Sequence, residues 1–487
     1  MKIKQFVIVA LFLINVVTAT ANAESDIRVT VHSDVIIRTF SESPFGINLN
    51  YIRDHDANRP SGAVPLSDSI QSIGATWLRY PGGEKSDWHF FAPPPYGSDL
   101  VADPVITSRP DESYASQAMG HTLLDFDDFM DLCSTSGANP YVVVPSEPER
   151  RTGYHEDHYV EHAAAWVRYA NVQNEYGVLY WEIGNENWHK DNSTGEVEAV
   201  ADYLARALRI GTAMKAIDPS IKIGCSGENY EQFKYIIQNG GDVIDFISLS
   251  NYVGSASIGW HGGDWVGGFE HYQKLQSGAL VLRPAAAVDA IQTYAIERDI
   301  EIIISEFNAV DFEKIWPWRN DLGHALVAFD LFGESLRLPY FTAGLLWTTR
   351  WMHAERPDKM WYALDGFNRL TAMGQALALW GSYFKASVVS TETSIAALSS
   401  HALADDKSGA LTVFMINKSS EEMTAYLDIE GTDRKYQEAF LSRFGGRSDR
   451  DMYPSLQVIG PTLIRDNEAS FVLPPTSLTV VDFQGTN

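Results

Sequence analysis

From Pro44 to Lys385, short apolar runs alternate with longer amphipathic segments. The runs are FGINLN (45–50), ATWLRY (75–80), NPYVVVP (139–145), LYWEIGN (179–185), IKIGCS (221–226), IDFISLSN (244–251), EIIISEF (301–307) and AGLLWTT (343–349). Continuous apolarity over so few residues predicts strands buried on both faces, as in a parallel sheet. The intervening segments, among them TLLDFDDFMDLCSTSG, DHYVEHAAAWVRYANVQNEYG, EAVADYLARALRIGTAMKAID, PAAAVDAIQTYAIERD and DLGHALVAFDLFGESLRL, space their apolar residues three and four apart, the period of a helix. Eight strand and helix units in succession predict an α/β fold closed into a (β/α)8 TIM barrel over 44–385, in preference to an open doubly wound sheet.

Both flanks read differently. Over 386–487 the pattern becomes period two, in LTVFMINK, TAYLDIE, ASFVLPP and LTVVDFQ, with Gly, Asp and Ser turns between them. This predicts a C-terminal antiparallel β-sandwich. Residues 24–43 contain the strand-like IRVTVH and DVIIRTF with no helix after them, so they are predicted to join that sandwich. The first 23 residues place Lys2 and Lys4 before a short apolar stretch that ends in Ala21, Asn22 and Ala23. That is the layout of a cleaved signal peptide, which predicts a secreted or periplasmic protein with no membrane contact after cleavage.

Composition narrows the ligand. Against 37 Lys and Arg stand 63 Asp and Glu, a net charge of −26 that repels nucleic acid and acidic polysaccharide and favours a neutral oligo- or polysaccharide. The two cysteines, Cys133 and Cys225, fall in a predicted helix and at a predicted strand end, so buried thiols are expected in place of a disulfide. No His and Cys spacing matches a zinc site and no Gly-rich phosphate loop follows a strand, so neither metal nor cofactor is expected.

The chemistry sits at two strand ends. In a (β/α)8 barrel the carboxyl ends of the strands gather at one mouth. Glu186 follows the fourth strand, directly after Asn185, and Glu306 closes the seventh. Two carboxyl groups about 5 Å apart are what a retaining glycosidase requires, one to protonate the leaving oxygen and one to attack the anomeric carbon. Glu186 is read as the acid/base and Glu306 as the nucleophile, with the Asn185 amide meeting the sugar 2-hydroxyl. Glu182 lies on the same side of its strand as Glu186 and is read as a structural partner for a buried cation, Arg79 being the candidate.

The segments LRYPGGEKSDW (78–88), AAAWVRYAN (163–171), YWEIGNENW (180–188), AIDPSIKIGCSG (216–227), IDFISLSNY (244–252) and IIISEFN (302–308) resemble clan A glycoside hydrolases. They are most similar to the α-L-arabinofuranosidases of glycoside hydrolase family 51, with kinship to family 39 xylosidases. The resemblance implies Glu186 as acid/base, Glu306 as nucleophile, Tyr252 in contact with that nucleophile, and Arg79 as its cationic neighbour. The chain departs from the family pattern in Glu84 after Pro81-Gly82-Gly83, in Ser305 and Phe307 around Glu306, and in Asn251 before Tyr252. Those positions line the sugar subsite, which leaves the particular sugar open.

Long aromatic segments follow several strands: DWHFFAPPPYGSD, a segment with Trp260 and Trp265, WPWRN, and TTRWMHAERPDKMW. Aromatic faces suit sugar rings, and Trp347 and Trp351 are the leading candidates for substrate contact. The expected activity is retaining hydrolysis of a neutral plant or algal glycan, arabinofuranosidase- or xylosidase-like. Endo-acting agarase, xylanase or glucanase action, transglycosylation, and binding without cleavage are the alternatives.

Overall fold

The protein is represented by a computed structural model that describes residues 27–90, 120–188, 197–252, 268–295, 297–309, 320–350 and 362–485. The segment read as a signal peptide and the tryptophans Trp260, Trp265, Trp316, Trp318 and Trp351 lie outside these described residues.

Eight strands close into a parallel barrel in sequence order: β2 (Phe45–Asn48), β3 (Trp77–Tyr80), β4 (Asn139–Val144), β5 (Tyr180–Ile183), β6 (Lys222–Ser226), β7 (Phe246–Tyr252), β8 (Glu301–Asn308) and β9 (Phe341–Leu346). The last pairs back to the first, with Leu345 opposite Gly46. Every residue of β2, β3, β5 and β7 is buried, which explains why the apolar runs were continuous. Each strand is followed by a helix: α1 (Leu66–Ile73), α2 (Phe126–Ser136), α3 (Glu156–Val167), α4 (Val200–Ile217), α5 (Tyr230–Asn239), α6 (Leu282–Tyr294), α7 (Leu322–Ser335) and α8 (Ala372–Ser382).

The barrel interior is layered, and the layering positions the site. Near the amino ends of the strands, Trp77, Tyr141, Tyr180, Phe246, Ile303, Ala343 and Leu345 fill the lumen as one apolar cluster. Because strand side chains alternate with period two, the residues two further on also point inward: Arg79, Glu182, Ser248 and Ser305. The lumen therefore changes from apolar to polar along its axis. In β8 the ladder to β7 slips between Leu249 and Ser250, so Glu306 pairs opposite Ser250 and the residue before it is extra. This bulge lets the neighbours Ser305 and Glu306 both reach the lumen, where strict alternation would send one outward.

A second, nine-stranded sheet runs β15-β14-β17-β12-β11-β10-β1-β13-β16. Its members are β1 (Ile27–Thr39), β10 (Ser387–Thr393), β11 (Leu398–Ala404), β12 (Leu411–Asn417), β13 (Met423–Glu430), β14 (Glu438–Gly445), β15 (Ser455–Leu463), β16 (Glu468–Leu473) and β17 (Ser477–Phe483). The sheet folds over on itself as a sandwich, since Ala439 and Leu441 near one edge share a core with Phe471 and Leu473 at the other. The alternate residues Phe414, Ile416, Leu478 and Val480 turn to the barrel. There Trp380 of α8 stacks on Phe329 of α7 at 4.5 Å and meets Phe414 at 4.6 Å. Caught between barrel and sheet, α7 is buried along its whole length, which accounts for its near-uniform apolarity.

β1 lies inside this sheet, antiparallel to β10 and parallel to β13. The parallel pair is the one departure from the antiparallel reading. It arises because β1 comes from the far end of the chain and no hairpin constrains its direction. Cys133 in α2 and Cys225 in β6 are both buried and unpaired.

Candidate active site

Arg79 organises the mouth of the barrel. It is fully buried, and a guanidinium in that position needs anionic or carbonyl partners on every N–H. Its Nε donates to Glu182 Oε2 at 2.9 Å and its Nη1 donates to Glu306 Oε1 at 2.8 Å and to Asn48 Oδ1 at 3.0 Å. Its Nη2 donates to Asn185 Oδ1 at 2.9 Å and lies 2.7 Å from Glu182 Oε2. Burial alone would lower its pKa, but the charges of Glu182 and Glu306 outweigh that and raise it. Glu182 takes a further hydrogen bond from the Ser248 hydroxyl, which also lies 2.8 Å from the Ser305 hydroxyl. Glu182 is thus a structural partner of Arg79, below the mouth.

Glu306 is nearly enclosed, with 4% of its surface exposed, and its two oxygens have separate donors. Arg79 serves Oε1, and the Tyr252 phenol donates to Oε2 at 2.5 Å. Burial raises the Glu306 pKa to about 7, the charge of Glu186 adds to the rise, and Arg79 and Tyr252 oppose it. Tyr252 is itself pushed well above the usual phenol range by burial and by Glu306, so it stays a donor.

Glu186 stands on the sharp turn after β5 and is partly accessible. Its φ is 46°, in the left-handed region that a side chain adopts at a cost of about 1 kcal/mol. Gly184, two residues earlier, has φ 73°, and a Cβ there would meet Asn187 Oδ1 at 2.0 Å. The turn is tied down by Asn187 Nδ2 donating to Ser146 O at 2.6 Å and by Asn185 N donating to Asp87 Oδ1 at 3.3 Å. Burial raises the Glu186 pKa to about 7; Ser250 draws it down, Glu84 pushes it up, and Arg283 and Arg79 draw it down. Arg283 is held by the Ser250 carbonyl at 2.8 Å and lies 5.3 Å from the centre of the Trp188 ring.

The structure therefore brings Arg79, Asn185, Tyr252, Glu186 and Glu306 to one mouth. Trp347 is there too, but only 4% of it is exposed. Its indole lies on Gly83, where a Cβ would come within 2.0 Å of Cη2, and the Lys85 ammonium sits 5.0 Å from its ring centre. It forms a wall of the mouth. Burial lowers the Lys85 pKa to about 7 against the charges of Glu306, Glu84 and Asp54. Asn48, Lys85, Asp87 and Ser248 were not singled out from the sequence. Asn48 had a signal, a lone amide at an inward position of an otherwise apolar strand.

The two carboxyl groups supply what acid/base and nucleophilic chemistry needs. Glu306 feels the charge of Glu186, burial raises both pKa values, and a guanidinium and a phenol each donate to one oxygen of Glu306 and oppose its rise. Among the described residues, no group of three or more His, Cys, Asp or Glu is placed to hold a metal ion.

No protein-family model matches the chain. A probable α-L-arabinofuranosidase C of Aspergillus fumigatus is 23% identical over 177 residues, 33% of this chain and 32% of that protein. The match thus spans about a third of the length of that curated relative. The fold is shared with a family 51 α-L-arabinofuranosidase from Bifidobacterium longum, with a TM-score of 0.73, 13% identity, and 94% of this chain and 99% of that one covered. It is shared also with a Paenibacillus polymyxa xyloglucanase of glycoside hydrolase family 44, with a TM-score of 0.64, 14% identity, and 94% and 99% covered.

Proposed function

We propose that this chain is an exported, retaining glycoside hydrolase that cleaves a neutral plant or algal glycan, with Glu186 as acid/base and Glu306 as nucleophile. One observation carries the reading: Arg79 and Tyr252 each donate to one oxygen of Glu306 and favour its ionised form, and Glu306 feels the charge of Glu186, whose own pKa is raised to about 7.

The steps follow from the donors. Protonated Glu186 gives its proton to the glycosidic oxygen as the Glu306 carboxylate attacks the anomeric carbon, and the leaving alcohol departs. Glu306 is then bonded to the sugar and Glu186 is ionised. Glu186 next takes a proton from water, the resulting hydroxide attacks the same carbon, and Glu306 leaves as a carboxylate. Arg79 already occupies Asn185 Oδ1, so the Asn185 Nδ2 protons are the ones turned to the sugar 2-hydroxyl. Trp347 and Lys85 close the wall behind the sugar. Trp351 is assigned to substrate contact on its sequence position alone.

Likeness to proteins described as arabinofuranosidases supports an arabinofuranoside as substrate, and a xyloside rests on the sequence resemblance alone. Likeness of fold to a xyloglucanase supports the second reading, an endo-acting glucanase, with xylanase or agarase action resting on the sequence alone. The deciding experiment is incubation with a panel of aryl glycosides and polysaccharides, with the first-formed anomer followed by NMR. A product of the substrate's own configuration is expected, and an inverted product refutes the scheme. Export is checked by mass spectrometry of the protein recovered outside the cytoplasm, where a mature chain starting at Glu24 is expected.

A further inference from the structure

We propose that the loop 446–454, between β14 and β15 of the second sheet, is a distal glycan subsite on the rim of the barrel mouth, with Tyr453 as its stacking platform. The proposal takes its ligand class from the hydrolase reading.

The loop's position is set by main-chain bonds to the barrel. In a (β/α)8 barrel the helix after a strand starts on the same face where that strand ends. Helix α7 follows β8, the strand of Glu306, so its first turn lies on the face of the mouth. The first N–H groups of a helix lack partners within it. Here Leu322 N donates to Asp451 O at 2.9 Å and Gly323 N donates to Asp449 O at 2.7 Å, so the sandwich loop caps α7 at the rim.

The loop is also held rigid by its own residues. The Asp451 carboxylate accepts from Arg447 N at 2.8 Å and from Tyr453 N at 2.9 Å, and Asp451 N donates to Ser448 O at 3.0 Å. These bonds present Tyr453 with 84% of its surface exposed, the most exposed of the large hydrophobic side chains among the described residues. An isolated exposed aromatic is ordinary, but one fixed by its own backbone on a pinned loop at the rim is prepared to bind. A tyrosine pairs an apolar face with a polar tip and little side-chain entropy, which suits a sugar ring and its hydroxyls. Leu456, three residues later and second in β15, is 42% exposed and extends the apolar surface.

The test compares Tyr453→Ala and Tyr453→Phe with the unaltered chain, each confirmed to melt at the same temperature. Affinity electrophoresis in gels of arabinan, arabinoxylan, xyloglucan or agarose measures binding with no need for turnover. At least one of these is expected to retard the unaltered chain and the Phe variant. Tyr453→Ala should weaken that retardation about 3- to 10-fold, the size of an aromatic contact. Activity on an aryl monosaccharide should be unchanged in all three. Retardation of the unaltered chain by none of the four polysaccharides, or equally by all three proteins, overturns the subsite. Absence of aryl glycoside cleavage, with retardation still dependent on Tyr453, sinks the hydrolase reading and leaves the subsite standing.

Discussion

Arg79 joins Glu306 to Glu182 within one fully buried guanidinium, at 2.8 Å to the first and 2.9 Å to the second. The same side chain therefore favours the ionised form of the proposed nucleophile and pairs with the acid below it. Arg79→Met strands two carboxylates in the lumen, and loss of one partner from a buried ion pair costs about 3–5 kcal/mol. Arg79→Lys keeps a charge but lacks the fork that reaches Glu182, Glu306, Asn48 and Asn185 together. Urea unfolding is expected to show the large loss for Met and a smaller one for Lys. Both variants are expected to lose turnover on an aryl glycoside, and unchanged turnover in Arg79→Met contradicts the assigned role.

Azide separates the two glutamates. Glu306→Ala removes the proposed nucleophile and is expected to abolish turnover of every substrate. Glu186→Ala with an activated leaving group still forms the glycosyl-enzyme, because such a leaving group departs without a proton. Small anions then enter the space left by the side chain. Added azide is expected to restore turnover of Glu186→Ala and to give a glycosyl azide of retained configuration, identified by NMR.

The barrel was legible because parallel strands are buried on both faces, so each wrote itself as an apolar run ended by a polar residue. Glu186 and Glu306 stood out at such ends. What escaped were residues whose meaning comes from partners far along the chain. Asn48 donates to Ser305 O at 2.8 Å across 257 positions, and the bulge that turns both Ser305 and Glu306 inward breaks the period a pattern search relies on. Trp347 resembled an open platform, yet Gly83 has no Cβ and lets the indole fill its place. The parallel pairing of β1 with β13 is likewise invisible locally, since nothing in IRVTVH names its neighbour.

Acidity should govern both rate and stability. Glu186 titrates near 7 in the folded chain and near its ordinary 4.5 when unfolded. Between those values the folded state holds a proton that the unfolded state has released, so stability falls as pH rises through the window. Glu186→Gln removes this term and is expected to gain stability relative to the unaltered chain at pH 8, with little difference at pH 4, in urea titrations at both. The same ionisation removes the proposed general acid, so kcat/KM is expected to fall about tenfold per pH unit above about 7. A rate unchanged from pH 7 to pH 9 on a substrate with a poor leaving group excludes Glu186 as the proton donor.

β1 tests how far the barrel depends on the second sheet. The strand sits between β10 and β13, with Val29 and Val31 fully buried in the sandwich core. A chain starting at Pro44 loses both valines, a hydrophobic contribution of about 3–6 kcal/mol. It also uncovers two strand edges at once, each a row of unpaired N–H and C=O groups ready to pair with another molecule. Over 29–32 the strand is in register on both sides, Val29 lying opposite Thr393 and Leu427. The shortened chain is expected to elute as aggregates in size-exclusion chromatography and to unfold at lower urea concentration. A monomer with the urea midpoint of the full chain contradicts a structural role for β1. Supplying residues 24–43 as a separate peptide is expected to reduce aggregation, because the vacant slot then has its own strand to accept.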